Sequence, residues 1–201
     1  MNTLVRCAFA VLLLGCQSER PAADGVTVAG DTVAEAELSV DSAIDSVPRA
    51  ARALLALSGD GLMLVNSESG STRPVSFGTD AATAIAMLSA AVGEVVERGT
   101  NEECGAGPVE YLSFGNGLQI VVQKDQFLGW TVRPRADTLR TMSNVGLGTT
   151  RAELESVYAA QIAPSTLGME FMAGGLQGIL ESGAASARIT DLWAGLACVA
   201  R

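Results

Sequence analysis

The feature that most constrains the fold is an internal repetition. Phe77-Gly78-Thr79 opens a run to Val96 in which Ala84, Met87, Leu88 and Val92 recur at helical spacing. Seventy residues later Leu147-Gly148-Thr149 opens a second run, with Leu154, Val157, Tyr158 and Ile162 in the same register. Thr79 and Thr149 are the expected N-caps, because a hydroxyl there accepts from the first free backbone amides. A second shared pattern follows each run. It is Phe114 to Gly117-Leu118-Gln119 with Trp130 twelve residues after Leu118, then Phe171 to Gly175-Leu176-Gln177 with Trp193 seventeen after Leu176. Two matches in the same order point to a duplication, repeat one over 77–133 and repeat two over 145–201. Each copy reads as a helix followed by about three short strands.

Alternation places the strands of the first copy near 109–114, 118–123 and 127–133, with Asn116-Gly117 as a tight turn whose two residues both accept positive φ. It also assigns the faces. Leu112, Phe114, Leu118, Ile120, Val122, Leu128, Trp130 and Val132 point towards the helices; Tyr111, Ser113, Gln119, Val121, Gln123, Phe127, Thr131 and Arg133 point away. The second copy is less regular, since Asp191 and Trp193 would share a face. By repeat position Trp130 and Trp193 are both core anchors, with a ligand-site lining as the alternative. Upstream, Gly61–Val65 and Thr72–Phe77 flank the turn-rich Asn66–Ser71 and read as a β-hairpin over 61–77, with Pro74 on an edge. Pro48–Leu57 reads as a short helix. The expectation is an α+β domain over 48–201, with two tandem helix-plus-antiparallel-sheet repeats sharing one sheet, helices on one face, and an additional N-terminal hairpin.

Composition excludes several functions. The 201 residues hold 13 Lys+Arg against 22 Asp+Glu, a net charge of −9, and Lys124 is the only lysine, so no cationic track for nucleic acid is available. Histidine is absent, which removes Ser-His and Cys-His nucleophile pairs and every histidine metal site. The chain has no phosphate loop, dinucleotide fingerprint, nucleophile elbow or calcium loop. Neither a metal nor a cofactor is expected. Glu102, Glu103, Glu110, Asp125, Glu170 and Asp191 offer material for an acid–base pair, but solvated surface carboxylates explain them as well.

The N-terminus constrains location. Met1–Arg6 carries one positive charge, and Cys7–Leu14 is an apolar run too short to span a bilayer but of signal-peptide length. Leu13-Leu14-Gly15-Cys16 resembles the lipobox of bacterial lipoproteins. That resemblance implies cleavage after residue 15, a lipidated Cys16 as the new N-terminus and attachment to the bilayer; an ordinary secretory signal is the alternative. Gln17 in place of an aspartate leans towards the outer membrane, facing the periplasm. Residues 16–47 hold seven acidic residues, Glu19, Asp24, Asp31, Glu35, Glu37, Asp41 and Asp45, against Arg20, the composition of an extended tether. In an oxidising compartment, with Cys7 removed and Cys16 acylated, Cys104 and Cys198 are the remaining thiols and are expected to pair; two buried free cysteines are the alternative.

The repeated Gly-Thr-helix opening resembles the β-lactamase-inhibitory-protein-like fold, and "NVGLGTTRAELESVYA" is similar to the opening of the small SmpA/OmlA outer-membrane lipoproteins, over residues 75–201. The first copy departs from it with Phe77 and Ala-rich residues, and the 61–77 hairpin has no counterpart there. The resemblance implies a non-catalytic protein-binding module. Tyr111, Gln119, Val121, Gln123, Phe127, Thr131 and Arg133 supply the mix of aromatics, Arg and amides that interfaces favour, as a face for another envelope protein. The alternative is a small-ligand or hydrolytic site with a carboxylate pair beside a Trp-lined pocket.

Overall fold

The computed structural model describes residues 53–134, 136 and 138–199. The expected signal peptide, the lipidated Cys16 and the tether lie outside the described residues.

Strands β1 (Ala53–Ser58), β2 (Gly61–Asn66) and β3 (Thr72–Ser76) run antiparallel in succession, and β8 (Arg140–Thr141) joins β1 in parallel. They form a four-stranded mixed sheet in the order β3-β2-β1-β8. The remaining elements fall into two similar series. Helix α1 (Ala81–Val92) precedes β4 (Val95–Asn101), β5 (Val109–Phe114), β6 (Leu118–Gln123) and β7 (Gln126–Val132). Helix α2 (Arg151–Val157) precedes β9 (Gln161–Ser165), β10 (Gly168–Ala173), β11 (Leu176–Leu180) and β12 (Ile189–Gly195). These eight strands make one antiparallel sheet, β4-β5-β6-β7-β12-β11-β10-β9, with β7 and β12 adjacent at its centre. The architecture is α+β.

One core cluster lies against a single face of the large sheet. It joins Leu112, Phe114, Leu118, Ile120 and Trp130 to Ala84 and Leu88 of α1, Leu154 of α2, and Leu57, Leu62 and Val75 of the small sheet. Trp130 is the largest side chain in it, fully buried, with Nε1 donating to the carbonyls of Ser58 (2.9 Å) and Gly61 (2.7 Å) in the β1–β2 turn. That turn also touches the β10–β11 turn, where Gly59 packs so closely on Gly174 and Gly175 that neither side has room for a side chain.

Several expectations are corrected. Ala53–Leu57 is strand and not helix, because Leu55 and Leu57 pair across β2 with Leu64 and Leu62 and tertiary pairing overrides a local helical preference. Each helix is followed by four strands and not three. Gly93, at φ 93°, ends α1 before Val95 and Val96, which belong to β4; Ile162 belongs to β9 and not to α2. Both N-caps sit one residue later than expected, at Asp80 and Thr150; Thr79 Oγ1 donates to Ser76 O (2.7 Å) and Thr149 Oγ1 accepts from Gly146 N (3.0 Å). Positive φ at both turn residues occurs at Lys124-Asp125 (51° and 58°), whereas at Asn116-Gly117 only Gly117 adopts it.

The largest correction comes from a β-bulge. Val121 pairs with Gly129 but Val122 pairs with Phe127, so Leu128 is an extra residue in β7. The bulge turns Phe127 onto the core face, where it is fully buried against Phe77 at a ring-centroid distance of 5.2 Å. Phe127 is therefore removed from the expected interaction face, and Leu128 from the strict core row.

A bulge at the equivalent place in the second series sits between Ile179 and Leu180, and the same three backbone bonds recur around it. Gly78 N to Phe127 O (2.8 Å), Phe127 N to Thr79 O (2.9 Å) and Ala81 N to Asp125 O (2.9 Å) match Gly148 N to Ile189 O (2.9 Å), Ile189 N to Thr149 O (2.9 Å) and Arg151 N to Ala187 O (2.8 Å). By this register Trp130 corresponds to Leu192 and Trp193 to Thr131. The two tryptophans are not equivalent, and they lie on opposite faces of the sheet.

Candidate interaction face

The face of the large sheet turned away from the helices carries a row of directly paired residues through all eight strands. It runs Gln161, Met172, Gln177, Trp193, Thr131, Gln119, Ser113 and Glu97, each opposite the next. At its centre Thr131 Oγ1 donates to Gln119 Oε1 (3.3 Å), and Gln119 Nε2 donates to Ser113 Oγ (3.1 Å). Arg133 Nη1 meets Glu97 Oε2 at 3.3 Å, with both side chains more than half exposed. The polar residues of the first series are thus fixed by one another in a ladder, a rigid surface whose ordering costs little on binding.

Beside this ladder is an open cleft of about 420 Å³, lined among others by Thr131, Arg133, Pro134, Leu167, Asp191 and Trp193. Trp193 is itself mostly buried, and Met172, further along the row, is exposed. The cleft combines an indole, a guanidinium and a carboxylate with apolar walls, so it can take an aromatic or aliphatic anchor beside a polar contact.

Of the seven residues expected on this face, Gln119, Thr131 and Arg133 come together in the ladder and cleft. Val121 is fully buried and Tyr111 half-buried, both in a second apolar cluster with Val109, Cys104, Leu196 and Cys198. Gln123 is spent on the loop above them, with Nε2 donating to the carbonyls of Ala106 (2.9 Å), Gly107 (3.2 Å) and Pro108 (3.1 Å). Phe127 faces the core. The face is therefore not a bare exposed sheet: one half is covered, and its open half extends instead to Trp193, Gln177 and Met172. Aligning Trp193 on Trp130 puts it on the core face; its pairing with Gln177, matching that of Thr131 with Gln119, puts it on the outer face.

The cover is tied down by a disulfide between Cys104 and Cys198, with Cα atoms 5.3 Å apart. Of the carboxylates considered for acid–base chemistry, Glu110 pairs with Arg98 (3.0 Å), Asp125 occupies the β6–β7 turn, and the cleft lining includes Asp191. Among the described residues, no group of three or more His, Cys, Asp or Glu side chains is arranged to hold a metal ion. The carboxylates with shifted pKa values are remote from this face. Asp80 and Glu153 cap the two helices, and each is held below its ordinary range by hydrogen bonds, from Thr83 and from Thr150. Compared with known proteins, the chain matches no family model, no curated protein and no solved structure.

Proposed function

We propose that this chain is a lipid-anchored protein of the bacterial cell envelope, on the periplasmic side of the outer membrane, that binds another envelope protein without catalysing a reaction. Its binding surface is the open half of the outer sheet face, centred on Trp193, Thr131, Gln119 and Arg133. The observation that carries this reading is the ordered ladder bordering a cleft with Trp193, Arg133 and apolar walls, the residue types in which binding energy concentrates. The lipobox residues Leu13-Leu14-Gly15-Cys16 support the anchor.

In the same reading the two helix-and-four-strand series are tandem repeats of the β-lactamase-inhibitory-protein-like or SmpA/OmlA kind sharing one sheet. The matched backbone bonds around Phe127 and Ile189, the matched bulges and the equivalent caps Asp80 and Thr150 support that relation. A carboxylate-pair enzyme is the weaker reading, because the cleft's lining contributes one carboxylate, Asp191, and two facing ones are needed.

Crosslinking in the native envelope, read by mass spectrometry, tests the function. Thr131→Arg combined with Arg133→Glu changes the shape and charge of the face without touching the core, and is expected to abolish the dominant crosslink. A folded double variant that keeps the same partner at the same yield would overturn the assignment of this face.

A further inference from the structure

We propose that the C-terminal segment Leu196–Val199 is a redox-released strap that masks an apolar half of the outer sheet face. The path of the chain shows how it is laid down. Gly195, at φ 69°, ends β12 and turns the chain out of the strand. Leu196 then crosses β7 at the bulge, its amide donating to Leu128 O (2.8 Å), directly above Gly129, where any Cβ would collide with the Leu196 carbonyl. Two residues later Cys198 is bonded to Cys104 in the loop between β4 and β5. Beneath the strap lie Val121, fully buried, Val109 and Tyr111; at its far end Val199 forms part of the wall of the Trp193 cleft. These apolar side chains point away from the main core, on the face that carries the Gln119–Thr131 ladder.

Besides the disulfide, the strap is held by the packing of Leu196 on Val121, Val109 and Tyr111 and by few backbone bonds. Among the described residues its only hydrogen bond is the one from Leu196 to Leu128. The disulfide itself is reachable: a cavity of about 360 Å³ is lined by both cysteines together with Asn101, Glu103 and Gly105. Cys198 is the more exposed of the two residues, so the attack is assigned to its sulfur. The reductant is a dithiol. Its first thiolate attacks Cys198 Sγ, forming a mixed disulfide and expelling Cys104 as a thiolate that takes up a proton. The second thiol of the reductant loses its proton and displaces Cys198, leaving two protein thiols and one oxidised dithiol. Freed at that point, the strap leaves, and Val121, Val109 and Tyr111 join the Trp193 cleft in one larger apolar surface. Release of the strap does not depend on the identity of any partner.

The test is hydrogen exchange by mass spectrometry on the full chain, with and without dithiothreitol, alongside alkylation to count thiols. The expected result is two additional alkylation adducts, with protection lost at Leu196 and in the 102–107 loop but kept in β6, β7 and β12. A Cys104→Ser, Cys198→Ser double variant should show the same pattern with no reductant present. Unchanged protection at Leu196 after full reduction would overturn the strap, since packing alone would then hold it. Loss of protection across the whole large sheet would make the bond a staple of the fold and equally overturn it. Failure of dithiothreitol to yield the adducts would remove the redox element.

Discussion

The indole nitrogen of Trp130 lies 2.7 Å from the carbonyl oxygen of Gly61, a bond that reaches from the middle of the large sheet into the first turn of the small one. It ties the two sheets together at a polar point within an apolar enclosure, since the same N–H is shared with Ser58 O. Trp130→Phe keeps most of the packing and removes the donor, leaving buried carbonyls without it. The expected cost is about 1–3 kcal/mol in urea unfolding, above the cost of the volume change. A variant as stable as the parent would show that the β1–β2 turn is held by packing alone.

Phe127 and Arg133 mark opposite faces of the large sheet. Although simple alternation puts both on one surface, the bulge at Leu128 sends Phe127 into the core and leaves Arg133 at the face. Phe127→Ala is expected to destabilise by about 3–5 kcal/mol. Arg133→Ala loses a solvent-exposed ion pair with Glu97 and should stay within about 0.5 kcal/mol of the parent. Equal, small effects of the two substitutions in chemical denaturation would contradict the bulged register.

The regular parts of this fold were legible in the sequence for a physical reason. The strands at 109–114 and 118–123 coincide with β5 and β6 because Leu112 and Phe114, and Leu118, Ile120 and Val122, stand at alternate positions on the core face. What the sequence hid were departures from regularity. A bulge adds one residue to a period of two and so exchanges the faces of everything beyond it, and nothing in Gln126-Phe127-Leu128-Gly129 marks it except the glycine. Trp193 was hidden in the same way, because aligning it on Trp130 ignores a one-residue difference in register. The edge strands β4 and β9 escape the sequence reading, which extends the helical runs only to Val96 and Ile162, because both strands are mostly exposed and carry no alternating pattern. Of the outer sheet face, the positions of Gln119 and Thr131 follow from alternation; the crossing over Val121 does not, because a long-range contact leaves no local periodicity.

The helix caps make stability depend on pH in a defined direction. Asp80 accepts from Thr83 N and Thr83 Oγ1, both at 2.9 Å; Glu153 accepts from Thr150 N and Thr150 Oγ1, both at 2.8 Å, with Arg188 and Arg140 adding attraction. Both carboxylates therefore hold lower pKa values in the folded chain than in the unfolded one. The unfolded state binds more protons, so their contribution is fully present above the ordinary carboxylate range, about pH 4, and is lost as pH falls through the lower folded values. Asp80→Asn with Glu153→Gln keeps cap acceptors but removes the titration. Stability near neutral pH should change little, while its fall between about pH 5 and pH 3 should become shallower. An unaltered slope would place the acid sensitivity elsewhere.

The anchor is tested independently of the domain. A single acyl chain holds a protein to a bilayer only marginally, at about 0.8 kcal/mol per buried methylene, so stable attachment needs the two or three chains that lipobox processing supplies. The lipobox reading requires Cys16 as the acceptor, with Gly15 as the small residue before the cut. Expressed in a bacterial host with a clickable palmitate analogue, the parent chain should incorporate label and sediment with membranes. Cys16→Ser should lose both the label and the cleavage, and migrate as the longer precursor. A Cys7→Ser control should behave as the parent, because in the lipobox reading that residue falls within the segment to be removed. Equal labelling of the parent and Cys16→Ser would refute the lipid anchor and leave the apolar run Cys7–Leu14 as an ordinary secretory signal.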